Sequence, residues 1–127
     1  MKFVVSKDPE ISEMWTARIY FKGTSGTSKP RPVLVINFSE DTGLYTIQEI
    51  TSIGPKTPPI HYDGFKQVIE QWKNSGLDEK SYVKCAPENT HNVERIRLKS
   101  YIGVSDEDDF EAIIQKILES RKKQSLR

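Results

Sequence analysis

The stretch Arg31-Pro32-Val33-Leu34-Val35-Ile36 decides how this chain folds. A continuous apolar run, mostly β-branched and bounded by turn residues, describes a buried central strand. Upstream, residues 22–32 (KGTSGTSKPRP) are small and polar, with Gly and Pro and no acid, which is a loop composition. Before that loop, residues 15–21 (WTARIYF) are rich in aromatic and β-branched types and predict a first strand. Downstream, residues 39–43 (SEDTG) predict a turn. Residues 44–51 then predict a third strand, with Leu44, Thr46 and Gln48 alternating against Tyr45, Ile47 and Glu49. Three strands joined this way make an antiparallel meander.

Further along, the prolines of residues 53–59 (IGPKTPP) can continue neither a ladder nor a helix. Val68-Ile69 and Trp72 stand at helix-like spacing before Ser75-Gly76 and predict a short helix closed by glycine. Residues 81–85 and 93–98 predict two more strands, and Gly103 predicts a break. Ser105 is the expected N-cap of a last helix, with Asp106, Glu107, Asp108 and Asp109 in the turn where the helix dipole favours negative charge. Phe110, Ile113, Ile114, Ile117 and Leu118 then form one apolar face, and Arg121-Lys122-Lys123 suit the C-terminal end. The expected fold class is mainly β with helices (α+β). It is a small SH3-like antiparallel β-barrel with a short inserted helix and a C-terminal amphipathic helix. It forms one domain over residues 1–127, with its core at about 13–120 and flexible ends at 1–12 and 121–127.

A chain of 127 residues buries roughly two-thirds of its unfolded surface, enough for a core without metal or disulfide. Nineteen Lys plus Arg against eighteen Asp plus Glu give a formal charge of +1, which excludes a strongly basic nucleic-acid binder but not a local basic patch. The one cysteine, Cys85, excludes an internal disulfide framework. Lys7, Asp8, Pro9 and Glu10 end the first apolar run too early for a signal peptide, and no run nears the roughly twenty apolar residues of a membrane span. A cytoplasmic protein without membrane contact is expected.

Several motifs invite chemistry. Residues 23–29 (GTSGTSK) suggest a phosphate loop, but the glycine–lysine spacing is wrong, Pro30 follows the lysine, and a strand comes next instead of a helix. The same loop carries Lys22, Lys29 and Arg31 without an acid, so its cations and amides suit a nucleic-acid backbone; an ordinary solvated hairpin loop has the same composition. The acid run 106–109 is accounted for by capping and dipole, without a metal. Cys85 and His91 have no partner at metal-ligand spacing. Trp15 and Trp72 suit a core or an interface better than a base-stacking platform. His61, after the proline-rich loop, is a candidate general base.

The Arg-Pro before an apolar strand, after a Trp-led strand and a Gly-bearing loop, resembles the PemK/MazF family of toxin endoribonucleases. Further matches follow in order: Ile50-Thr51-Ser52 resembles the family's Thr-Ser at the end of its third strand. Residues 72–77 with Ser81-Tyr82-Val83 resemble its Gly-Leu…Ser-Tyr-Val segment, and Ile102-Gly103-Val104-Ser105 its closing turn and last helix. The ordered set runs from about Trp15 to Glu119. Glu13-Met14 stand where the family usually has Gly-Asp, and the stretch between Pro59 and Trp72 is longer than in compact members.

That resemblance implies an SH3-like homodimer that cuts single-stranded RNA without metal or cofactor. It also implies a cognate antitoxin that blocks the RNA groove, and contact with DNA, if any, only through that antitoxin. It makes Arg31 a catalytic, phosphate-stabilising residue and Thr51, with Ser52, a hydrogen-bond partner of the scissile phosphate; the resemblance does not identify the general base, for which His61 is the candidate on its chemistry alone. Lys22, Lys29 and Arg31 are the RNA-binding cations. Two rivals share the barrel: a protein-binding toxin of the gyrase-poison type, which would not need Arg31 and Thr51 to converge, and a catalytically inactive relative.

Overall fold

The centre of the sheet is the expected run, because both faces of β2 are covered. In the computed structural model, which describes residues 8–19, 29–57 and 64–125, β2 spans Arg31–Phe38 and pairs antiparallel with β1 (Glu13–Ala17) and β3 (Tyr45–Thr51). Val33 and Val35 face one apolar cluster with Trp15, Ala17, Tyr45, Ile47 and Leu98. Leu34 faces the other, with Met14, Ile50, Val83, Cys85, Ile113 and Ile117. A strand buried on both sides loses the usual apolar–polar alternation, which is why the sequence reads as an unbroken run.

The remaining elements are β4 (Lys66–Val68), β5 (Tyr82–Lys84), β6 (Thr90–Val93), β7 (Leu98–Val104) and α1 (Glu107–Ser125). The sheet order is β4-β5-β3-β2-β1-β7, with β6 also on β3. The outer edge of β3 is thus divided: Tyr45 to Gln48 pair with β6, and Ile50 and Thr51 pair with β5. Gln48, fully buried, makes the division possible. Its amide donates to the carbonyls of Lys84 (2.6 Å) and Ala86 (3.2 Å), and its oxygen accepts from Thr90 Oγ1 (2.7 Å).

The expected fold class holds, with differences in detail. The barrel is open: β4 and β7 end the sheet and do not pair. Where they would meet, the backbone at Ser75–Gly76 packs directly on Ile102–Gly103. A Cβ on Gly103 would collide with the Ser75 carbonyl oxygen, and one on Gly76 (φ +93°) would lie 2.5 Å from the Ile102 oxygen. Gly103 therefore sits inside β7 as a point of close approach and does not break the chain.

No inserted helix forms at Val68–Trp72. Val68 ends β4, the Ile69 amide continues the pairing to the Ser81 carbonyl (3.0 Å), and residues 70–76 form turns. The buried Asp109 carboxylate accepts the amides of Glu70 (3.1 Å) and Gln71 (2.8 Å) and fixes this turn against α1. Helical spacing there was a by-product of strand pairing followed by a turn. Likewise the 93–98 strand is two strands parted by a 3-10 turn at Arg95–Arg97.

The last helix lies where expected, but Asp106 caps it: its carboxylate accepts the amides of Asp108 (3.0 Å) and Asp109 (3.2 Å). Ser105 instead ties the chain to Ser12, whose carbonyl accepts both the Ser105 amide (2.9 Å) and its hydroxyl (2.8 Å). Ile113 and Ile117 are buried, each contributing roughly 2 kcal/mol, while Leu118 is left exposed. The helix runs on to Ser125, through a stretch expected to be flexible.

Replacing Gly103 by alanine is expected to destabilise the protein by at least about 2 kcal/mol, because the new methyl meets backbone that cannot swing aside. Urea unfolding of both proteins measures it; an unchanged midpoint would show that the 75–76 turn is not seated on β7.

Candidate functional site

Strand register, more than any single motif, assembles the site. Val33 pairs with Glu49 at the end of the β2–β3 ladder, and beyond that pair β2 runs back to Arg31 while β3 runs on to Thr51, so both strand ends leave the sheet at the same rim. Arg31 pairs with Ala17 on β1, and Thr51 with Tyr82 on β5. Two pairs, Ala17–Arg31 and Thr51–Tyr82, therefore flank this end of the sheet. Alternation puts Arg31 and Thr51 on the face of Val33 and Glu49.

A cleft of 430 Å³ wraps the rim of the sheet here, lined by Thr16, Arg31, Thr51, Ser52, Glu79 and Ser81 among others. Arg31, Thr51 and Ser52 are thus brought together. Arg31 and Ser52 are exposed and Thr51 is half-buried. The Thr51 hydroxyl accepts the Ile53 amide (3.1 Å), a local turn that holds its side chain while leaving its proton to donate. After Ser52 the chain rests on the Tyr82 ring, and a Cβ at Gly54 would lie 2.9 Å from the Tyr82 oxygen. Lys29 is exposed two residues before Arg31. Lys22 and His61 lie outside the described residues.

The adjacent row carries residues that the sequence did not single out. Glu49, on the same face as Thr51, is buried, and its Oε2 accepts from His91 Nε2 (2.8 Å) and Asn89 Nδ2 (3.3 Å). Lys84 Nζ stands 3.8 Å from Oε1. Burial acts to raise the Glu49 pKa, but the His91 and Asn89 hydrogen bonds and the Lys84 charge outweigh it and hold the carboxyl below its ordinary range. Facing an ionised carboxylate, the His91 ring presents Nε2–H. His91 thus has a partner 42 residues away, which no local spacing reveals. The available signal was Glu49 itself, an acid in phase with the buried Tyr45 and Ile47.

Other candidates have structural duties. Burial pushes the Cys85 thiol up to about 12, which leaves no thiolate to attack. Trp15 is buried, with Tyr101 edge-on to its ring (5.7 Å) and Arg95 over it (5.0 Å); Trp72 packs against the other core. Among the described residues, no three His, Cys, Asp or Glu converge as a metal-ligand set. No described helix is long and apolar enough to cross a membrane.

Neither a family model nor a curated protein matches the sequence. Solved structures do. The Mycobacterium tuberculosis toxin MazF-mt6 is 19% identical with TM-score 0.62, over 87% of this chain and 96% of that one. MazF from Deinococcus radiodurans is 16% identical with TM-score 0.65, over 92% and 99%. A mycobacterial endoribonuclease in complex with its cognate antitoxin is 12% identical with TM-score 0.65, over 90% and 95%. The fold of this chain is the MazF fold across nearly its whole length.

The charged cluster has a measurable consequence. Because the folded Glu49 pKa lies below the unfolded one, its stabilisation is complete above the ordinary value of about 4.3 and disappears as pH falls through the folded value. Glu49→Gln is expected to lose on the order of 1 kcal/mol at neutral pH, a deficit that shrinks as the pH is lowered below the ordinary carboxylate range. Denaturant titrations at neutral and acid pH test it, and a deficit independent of pH would refute the assignment.

Proposed function

We propose that this chain is a MazF-type toxin of a type II toxin–antitoxin pair, an endoribonuclease that cuts single-stranded RNA without a metal. The observation that carries the proposal is the rim cleft that Arg31, Thr51 and Ser52 line together on a fold like that of MazF. The RNA's own 2′-oxygen attacks the adjacent phosphorus, its proton passing to a base, and the 5′-oxygen leaves with a proton. Negative charge accumulates on the phosphorane between those events, and the residues that matter are those binding it more tightly than the ground state.

Arg31 supplies a permanent, forked cation to that charge, which is the work a metal would otherwise do. Thr51 donates its hydroxyl to a second phosphate oxygen, and Ser52, exposed beside it, reaches the same group. His61 is the proton acceptor in this scheme. Lys29 with Lys22 guides the RNA strand toward Arg31. A cognate antitoxin that covers this cleft fits the neighbour solved with its own antitoxin, and a cytoplasmic site of action fits an RNA target. The gyrase-poison alternative gives no role to Arg31 and Thr51 meeting in one cleft.

Pairing of two copies is part of the proposal. Ile11 and Val104, each next to one of the serines of the Ser12–Ser105 hydrogen bonds, are half exposed, and a two-fold partner would cover them. Light scattering at micromolar concentration is expected to give twice the chain mass, and a single-chain mass would reject it.

With purified protein and defined single-stranded RNA in EDTA, cleavage is expected to proceed. Arg31→Ala should abolish detectable cutting while the protein stays folded, and Thr51→Ala should slow it about a hundredfold, on the order of 3 kcal/mol. Arg31→Lys should not rescue, since an ammonium lacks the fork. Parent-like cleavage by folded Arg31→Ala would reduce Arg31 to a strand anchor.

A further inference from the structure

The rim cleft holds residues that the cutting chemistry does not use. Beside Arg31, Thr51 and Ser52 its lining includes Asp78 and Glu79, and the apolar Ile50, Ile53 and Leu77. Both acids are exposed, and among the described residues neither carboxylate is held by a hydrogen bond or ion pair. A carboxylate repels a phosphate, so in a cleft for RNA backbone alone these acids would work against binding. The backbone that carries them is nevertheless fixed on both sides. Leu77 is buried, with its amide on the Trp72 carbonyl (3.0 Å). Ser81 is buried too; its carbonyl accepts the Ile69 amide (3.0 Å), and its hydroxyl donates to the Glu79 carbonyl (2.8 Å). Ile53, by contrast, is 64% exposed, an apolar side chain in the cleft that neither core takes up.

We infer that the bend at 78–79 reads the base beside the cut phosphate: its carboxylates accept donors on the Watson–Crick edge, so that guanine is preferred and uracil rejected. Guanine presents N1–H and N2–H side by side, two donors that one carboxylate accepts at once. Adenine and cytosine each offer one amino group beside a bare ring nitrogen. Uracil offers one N–H between two carbonyl oxygens, which a carboxylate repels. The composition of the cleft then matches a nucleotide from end to end. Arg31, Thr51 and Ser52 take the phosphate, Ile50, Ile53 and Leu77 give the base an apolar surface, and the acids meet its edge. Those acids also keep a phosphate from settling at the base end, so charge alone fixes which way the nucleotide lies. The inference rests on the ribonuclease reading above and adds to it the choice of base.

The test compares the parent with Asp78→Asn/Glu79→Gln. Each is given a randomised pool of single-stranded RNA in EDTA, and the cut ends are sequenced. At one nucleotide flanking the cut, the parent should favour guanine over uracil at least about tenfold, and the double variant less than about threefold. Binding is read separately, by fluorescence anisotropy on a mixed-sequence 2′-O-methyl RNA that cannot be cut, with its guanines kept or replaced by inosine. Inosine lacks only the N2 amino group, so the exchange should weaken binding to the parent about fivefold and to the variant hardly at all. Acids that merely repel RNA would, once neutralised, raise cutting of every sequence alike, and acids that merely shape the turn would lower it alike. Either result, with the base ratio unchanged, overturns the inference. Should the double variant not fold by circular dichroism, each single substitution is read in the same assays. If the parent cuts RNA without favouring guanine, or the folded variant keeps the preference, base reading is refuted and the cutting site stands. If the parent cuts nothing, yet inosine weakens its binding and not the variant's, the base site stands and the ribonuclease reading fails. If the parent neither cuts nor binds RNA, both fall.

Discussion

The buried amide of Gln48 is the interaction on which this arrangement depends. A strand edge normally accepts one partner, yet β3 accepts two, and the chain must leave the ladder between them. At that departure the carbonyls of Lys84 and Ala86 turn inward, where an unpaired oxygen would cost about 1–3 kcal/mol. Gln48 satisfies both and takes the Thr90 hydroxyl in return. Without a side chain able to donate twice and accept once at this depth, β5 and β6 could not share the edge. Lys84, Asn89 and His91 would then not meet around Glu49.

A second constraint is that the sheet has two cores. Apolar clusters on opposite faces of β1, β2 and β3 leave the central residues no solvent side, so the sheet can curl without being closed by hydrogen bonds. Closure is achieved by contact, through glycine against backbone at positions 76 and 103. Helix α1 covers one face, and its Asp109 reaches back to fix the turn that makes this contact. The acid run at the helix start therefore does two different things: Asp106 caps its own helix, and Asp109 holds another segment.

Charge is placed locally although the whole chain is nearly neutral. Lys84 and His91 gather at the buried Glu49, and strand alternation puts Arg31 on the same face of the sheet. A formal charge of +1 over the chain conceals this, because α1 and the surface turns carry the compensating acids. Local placement is what a bound ligand would meet, since screening limits each charge to about 8–10 Å.

What the sequence determined by itself was whatever rests on neighbours along the chain. The run 33–36 had to be a central strand, 44–51 had to hold a strand beside it, and the acidic start and apolar stripe after Ser105 had to be a helix. Arg31 and Thr51 were legible because each stands at a strand end marked by a change of composition. Tertiary structure alone decided what depends on distant partners. Val68–Trp72 carried helical spacing, yet strand pairing and the Asp109 carboxylate made it a strand end and a turn. Gly103 looked like a break and became a contact, because the backbone that needs its missing side chain lies far away in sequence. His91 had no local partner and received one in Glu49 across the β3–β6 pairing. Local propensities are short-ranged and can be read residue by residue, whereas register and close approach are properties of the assembled sheet.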